Sequence, residues 1–107
     1  MNIESTRILN KYISGKPVSE DEYCYVYENV INNLVVDLPE MREISRKKLI
    51  QRYKNKLENC MRGDVDFYQS AIRNLESNNL FKKIKRELET MTKIVVIRAY
   101  FDNLKRE

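Results

Sequence analysis

The chain has 107 residues, the size of one ordinary domain, and 42% of them are hydrophobic, enough for a single core without a metal or disulfide staple. Two glycines and two prolines are too few for the many turns of a β-sandwich or barrel, and suit a few long helices on short links. Charged residues make up 34% and the net charge is +4, but residues 1–39 carry three basic and six acidic side chains, residues 40–63 eight and three, and residues 64–107 nine and seven. Such asymmetry biases orientation at an interface more than it determines a fold.

In chain order, the first predicted helix covers residues 3–14, with Ile8, Leu9, Tyr12 and Ile13 as its apolar stripe. Gly15 and Pro17 end it, since glycine accepts the left-handed position after a helix and proline blocks continuation. Ser19-Glu20-Asp21-Glu22 is a capping box that opens the second helix, and its carboxylates oppose the positive end of the helix dipole. Tyr23, Val26, Tyr27, Val30, Ile31 and Leu34 follow at spacings of three and four, and the helix is expected to end near Asp37. Pro39 then opens a third helix running from Glu40 to Arg62, with Ile50, Tyr53, Leu57 and Cys60 as its seam, widened by Leu49 and Met61, and with Gly63 as its stop. Asp64 is the expected N-cap of a fourth helix bearing Phe67, Tyr68, Ala71, Ile72 and Leu75. Ser77-Asn78-Asn79 interrupts it. The fifth helix is predicted over residues 80–104, with Phe81, Ile84, Leu88, Met91, Val95 and Arg98 on its buried face. The expected fold is all-α: one domain over residues 1–107, a compact bundle of about five helices with a long C-terminal helix.

Catalytic and metal chemistry find little support. Histidine, the commonest general base, is absent. Cys24 and Cys60 form no CxxC pair and read as two partly buried free thiols. No glycine-rich phosphate loop is present. The expectation is a protein that is not an enzyme, with no catalytic residue, cofactor, metal or small-molecule substrate. The apolar run at residues 94–97 is far shorter than the roughly 20 residues of a membrane span. Met1 leads straight into a mixed polar stretch with Glu4 and Arg7, unlike a signal peptide, so the protein is expected inside the cell.

Two features point to macromolecular partners. Lys48, Arg52 and Lys56 fall at i, i+4 and i+8 on one face of the third helix, beside Arg46 and Lys47, and such a stripe can follow a phosphate backbone. A second cluster contains Lys82, Lys83 and Arg86. Each cluster reads more readily as a solvated helix face, since small basic helical faces are common and base-reading residues are absent, and the nucleic-acid reading gains if both lie on one side of the bundle. The second feature is the last helix, where Ile94, Ile97, Tyr100 and Phe101 extend the apolar surface beyond the Leu88–Met91–Val95 stripe. A helix apolar most of the way round is either central in its bundle or covered by a partner. A domain of this size is not expected to bury both stripes, so these four residues and Tyr25 are candidates for a protein interface or self-association.

Ser19-Glu20-Asp21-Glu22-Tyr23 with Val26, Tyr27, Val30 and Leu34, and Glu87-Leu88-Glu89-Thr90 running through Val96-Ile97-Arg98-Ala99-Tyr100, cover about a third of the chain. They resemble two helices of the helical domain of GINS subunits, replication-fork proteins of archaea and eukaryotes. That resemblance implies a non-catalytic adaptor that assembles with sister subunits in a DNA replication complex. The sequence departs from it in having no room for a small β-rich domain and no basic-Ile pair after Tyr100. The alternative is a small basic nucleic-acid-binding protein, cellular or viral, that uses its third helix.

Overall fold

A computed structural model describes residues 1–31 and 38–106. Among them are five α-helices and no strand: α1 (Ile3–Ile13), α2 (Glu20–Val26), α3 (Leu38–Asn59), α4 (Val65–Glu76) and α5 (Lys82–Arg106). The all-α bundle with its longest helix at the C-terminus is therefore as expected. A π-helical turn, Tyr27–Ile31, extends α2, and a 3₁₀ turn, Arg62–Asp64, leads into α4. Leu34 and the expected end of the second helix near Asp37 lie outside the described residues.

Local chemistry sets most boundaries. The Asn2 side chain accepts the Ser5 backbone N–H at 2.7 Å and caps α1, and Gly15 takes φ +76° just beyond its end. At α2 the capping box is complete: the Ser19 hydroxyl accepts from the Glu22 N–H at 3.2 Å, and the Glu22 carboxylate accepts from the Ser19 N–H at 3.1 Å. Asp64 occupies the cap position of α4, but its side chain makes no capping hydrogen bond. Asn78 turns the chain between α4 and α5 with φ +62°, a conformation asparagine tolerates better than most residues.

Several expectations need correction. The third helix does not reach Arg62; it stops at Asn59, where the Asn59 amide and the Cys60 thiol donate back to the Asn55 and Leu57 carbonyls and Met61 turns extended. Gly63 sits inside the 3₁₀ turn and has no positive φ. Phe81 is not on the buried face of the last helix. It lies one residue ahead of α5, accepts the Lys85 N–H on its carbonyl, and leaves its ring 63% exposed.

The largest correction concerns Ile94, Ile97 and Phe101. They are 5%, 0% and 0% exposed, so both stripes of the last helix are buried. The reason is that α5 runs through two cores in succession. Its N-terminal half contributes Ile84 and Leu88 to a core with Leu49 and Tyr53 of α3 and Ala71, Ile72 and Leu75 of α4. Its C-terminal half contributes Ile94, Val96, Ile97 and Phe101 to a core with Ile8 of α1 and Tyr23, Val26 and Ile31 of α2 and its π-turn. Met91 packs against both. The buried face therefore moves around the helix along its length. The molecule is correspondingly elongated, 44 × 28 × 22 Å, with a Cα radius of gyration of 15.5 Å against about 13 Å for a rounder domain of similar length.

The α3 seam is Ser45, Leu49 and Tyr53 at four-residue spacing, with Ile50 and Leu57 only half-buried beside it. Buried hydroxyls on these helices bond back one turn: Ser45 donates to the Met41 carbonyl and Thr92 to the Leu88 carbonyl, at 2.7 and 2.8 Å. The Tyr53 hydroxyl is buried without a hydrogen-bond partner among the described residues.

Candidate functional site

Charge divides between the two halves of the elongated molecule. Residues 41–88, which span almost all of α3, all of α4 and the first part of α5, hold thirteen Lys and Arg against six Asp and Glu. We call this the basic lobe. The surface of α1 and α2 carries the acidic cluster Glu20, Asp21 and Glu22, and most of its cations are tied: Arg7 pairs with Glu4 and Glu22, and Lys11 with Glu22. In the basic lobe many cations face solvent without an acidic partner.

Within that lobe the candidate residues separate. Arg46 is half-buried against the bundle: it pairs with Glu43 at 2.6 Å and donates to the Leu75 carbonyl near the end of α4 at 2.7 Å, beside the Asn78 N–H on the same oxygen. Glu43 holds the guanidinium charged and is itself pulled below the usual carboxylate range by it. Arg46 thus ties α3 to α4. Lys47 and Lys48 are exposed and make no ion pair among the described residues. Arg52 pairs with Glu20 at the start of α2 at 2.9 Å.

Arg52 and Lys56 of α3 and Arg86 of α5 come together around one cleft of about 250 Å³, with Glu20, Glu87, Thr90 and Met91 as the other walls. Members of the two basic clusters, separate in sequence, therefore share one rim. Lys56 and Arg86 carry no ion pair among the described residues, whereas Arg52 is partly neutralised by Glu20. Glu87 is pushed above its ordinary range, first by burial and also by Glu20, with Arg52 opposing. Lys82 is exposed and Lys83 places its ammonium 4.6 Å from the centre of the Phe67 ring. α5 begins with Lys82, Lys83, Lys85 and Arg86 and has no acidic residue in its first turn, an arrangement opposed by the helix dipole.

Of the interface candidates, Tyr25 is 37% exposed, its hydroxyl accepting from Asn2 Nδ2 at 3.1 Å. Tyr100 is half-buried against the α1–α2 core, its ring 6.2 Å from that of Phe101. Ile94, Ile97 and Phe101 are core residues, as described. Arg98 is exposed rather than buried and lays its guanidinium 5.1 Å from the Tyr23 ring. Cys24 and Cys60 are half-buried free thiols, and burial raises the Cys24 pKa. No helix among the described residues is long and apolar enough to cross a membrane.

Sequence reasoning missed the Glu20–Arg52 pair, which joins positions 32 apart, and the solvent-facing rings of Phe67 and Phe81. The only signal for the latter was that Phe81 directly precedes a run of cations, an unusual flank for a core residue. No known protein family, curated protein or solved structure matches the chain.

Proposed function

We propose that the chain is a non-catalytic nucleic-acid-binding protein that engages phosphate backbones through the basic lobe, with little regard to base sequence. The observation that carries this reading is the shared rim of Arg52, Lys56 and Arg86, set in a lobe of thirteen cations and six acids. Clustered, unpaired cations on a rigid surface supply the sequence-independent part of nucleic-acid affinity. The test is fluorescence anisotropy with DNA and RNA oligonucleotides of unrelated sequence across a salt series. Lys48, Lys56 and Arg86 are the residues to reverse to Glu together, because each is exposed and makes no ion pair among the described residues. Arg52 is spared, since its loss strands Glu20. The triple variant should retain its helical circular dichroism, lose at least tenfold in affinity, and show a salt slope shallower by roughly two to three. Equal binding by wild type and variant removes the reading.

A second reading is a non-catalytic adaptor or assembly subunit of a nucleic-acid-processing complex, as the GINS resemblance implies. Burial of Ile94, Ile97 and Phe101 removes the apolar surface it first drew on. Its remaining support is on α1 and α2, where Ile3 is 91%, Ile13 41% and Tyr25 37% exposed. Sedimentation of the purified chain at tens of micromolar checks it: this reading expects a dimer or larger species that Ile3→Asp dissociates.

A further inference from the structure

Two phenylalanine rings on the basic lobe face water. Phe81 is 63% exposed and Phe67 38%. Phe67 is braced edge-on by Tyr68 and Tyr53, with ring centres 5.3 and 6.3 Å away and interplanar angles of 71° and 68°. Its 38% exposure leaves part of the ring open to solvent, and the ammonium of Lys83 sits over it. Phe67 lies in the first turn of α4 and Phe81 just ahead of α5, and Lys83, two positions from Phe81, is the side chain that reaches from one neighbourhood to the other. Phe81 is backbone-anchored through its carbonyl to the Lys85 N–H at 2.8 Å.

We propose that the exposed rings of Phe67 and Phe81 act as a base-stacking platform of two separate sites, so that the basic lobe prefers single-stranded nucleic acid to duplex. This rests on the nucleic-acid reading above and sharpens it. Bases in a duplex present only their edges in the grooves, whereas an unpaired base offers a face on which an aromatic ring can stack. Phosphates on either side of a stacked base then lie within reach of Lys82, Lys83 and Arg86. A base that lands on Phe67 displaces Lys83 from the ring, which frees that ammonium to pair with a phosphate. An anionic lipid surface also attracts aromatic and cationic side chains, but such binding draws on a broad apolar helix face, and the exposed apolar side chains of this lobe, Ile44, Met61, Phe67, Leu80 and Phe81, lie on separate helices and links rather than along one helix.

The chain has no tryptophan, so Phe81→Trp installs a single fluorescent reporter at the platform. A mixed-sequence 20-nucleotide DNA strand should quench it on binding, while its blunt duplex and vesicles of phosphatidylcholine with phosphatidylserine should not. Phe81→Ala should weaken single-strand binding roughly five- to a hundredfold, the range for loss of one base–aromatic stack, and change duplex affinity by less than about twofold. Phe81→Trp should restore single-strand affinity. Binding of strand and duplex by the wild type, with Phe81→Ala altering neither or both equally, overturns the platform and leaves phosphate binding standing. Quenching by vesicles alone also overturns it, in favour of a lipid surface. A wild-type chain that binds no nucleic acid overturns the platform together with the reading beneath it.

Discussion

At Glu22 one carboxylate closes the capping box of α2, accepts the Lys11 ammonium at 2.9 Å on each oxygen, and meets Arg7 at 3.2 Å. The Lys11 hydrogen bond foremost, then the Ser19 backbone, lowers its pKa from 4.5 to about 2. A pKa depressed by folding stabilises the native state fully above pH 4.5, and that stabilisation is lost as pH falls towards about 2. Glu22→Gln keeps a side chain that can complete the capping box but removes the titration. Thermal melts at successive pH values should show a flatter acid loss in this variant than in wild type; parallel curves would contradict the assignment. Tyr53 offers the opposite case. Its hydroxyl is buried and has no partner among the described residues, so Tyr53→Phe removes a polar group whose burial no hydrogen bond there offsets. Urea denaturation should find the variant more stable by about 1 kcal/mol. A loss of stability would point to a partner for that hydroxyl.

Along the helices, α5 carries the clearest lesson. Leu88 belongs to one core and Ile97 to the other, at 7% and 0% exposure. Truncating either to Ala should cost about 2–5 kcal/mol, because a cavity remains where the side chain was. Ile97→Asp should leave the isolated chain unfolded, since the charge would have no water and no partner in that core. Circular dichroism of the purified variant decides it: a native helical spectrum would return Ile97 to the surface, where the sequence alone had put it. At the turn after α1, Gly15→Ala should cost about 1 kcal/mol from backbone strain at φ +76°, although nothing lies within 4 Å of the added methyl.

For the molecule as a whole, shape and charge point the same way. Two cores strung along one helix give an elongated body. One end of it is crowded with unpaired cations, while α1 and α2 tie theirs in a carboxylate cluster. Because α5 threads both cores and Met91 touches each, they should unfold together. Urea transitions followed by far-ultraviolet dichroism and by tyrosine fluorescence should coincide. Two separated transitions would mean that the cores are independent units. Like-charge repulsion in the basic lobe should also make stability rise with salt in the range where anisotropy shows nucleic-acid binding falling.

The sequence by itself determined what depends on neighbours a few residues apart. Helix periodicity, the Ser19–Glu22 capping box, the Gly15 break and the five-helix count were all readable there, because caps, turns and apolar stripes act within one or two turns of chain. The end of α3 was misread because the back-bonds of Asn59 and Cys60 closed the helix ahead of the glycine. What only the tertiary structure decided was which apolar and charged faces meet. Ile94, Ile97 and Phe101 looked like surplus surface because a single core cannot use two stripes of one helix, and the sequence does not reveal that α5 serves two cores in turn. The fates of the cations were likewise set by distant groups: Arg46 by the end of α4, Arg52 by the start of α2, and Lys56 and Arg86 by the crossing that brings α3 beside α5. Coulomb and hydrogen-bond energies depend on separation in space, and for residues 29 or 32 positions apart that separation exists only once the chain has packed.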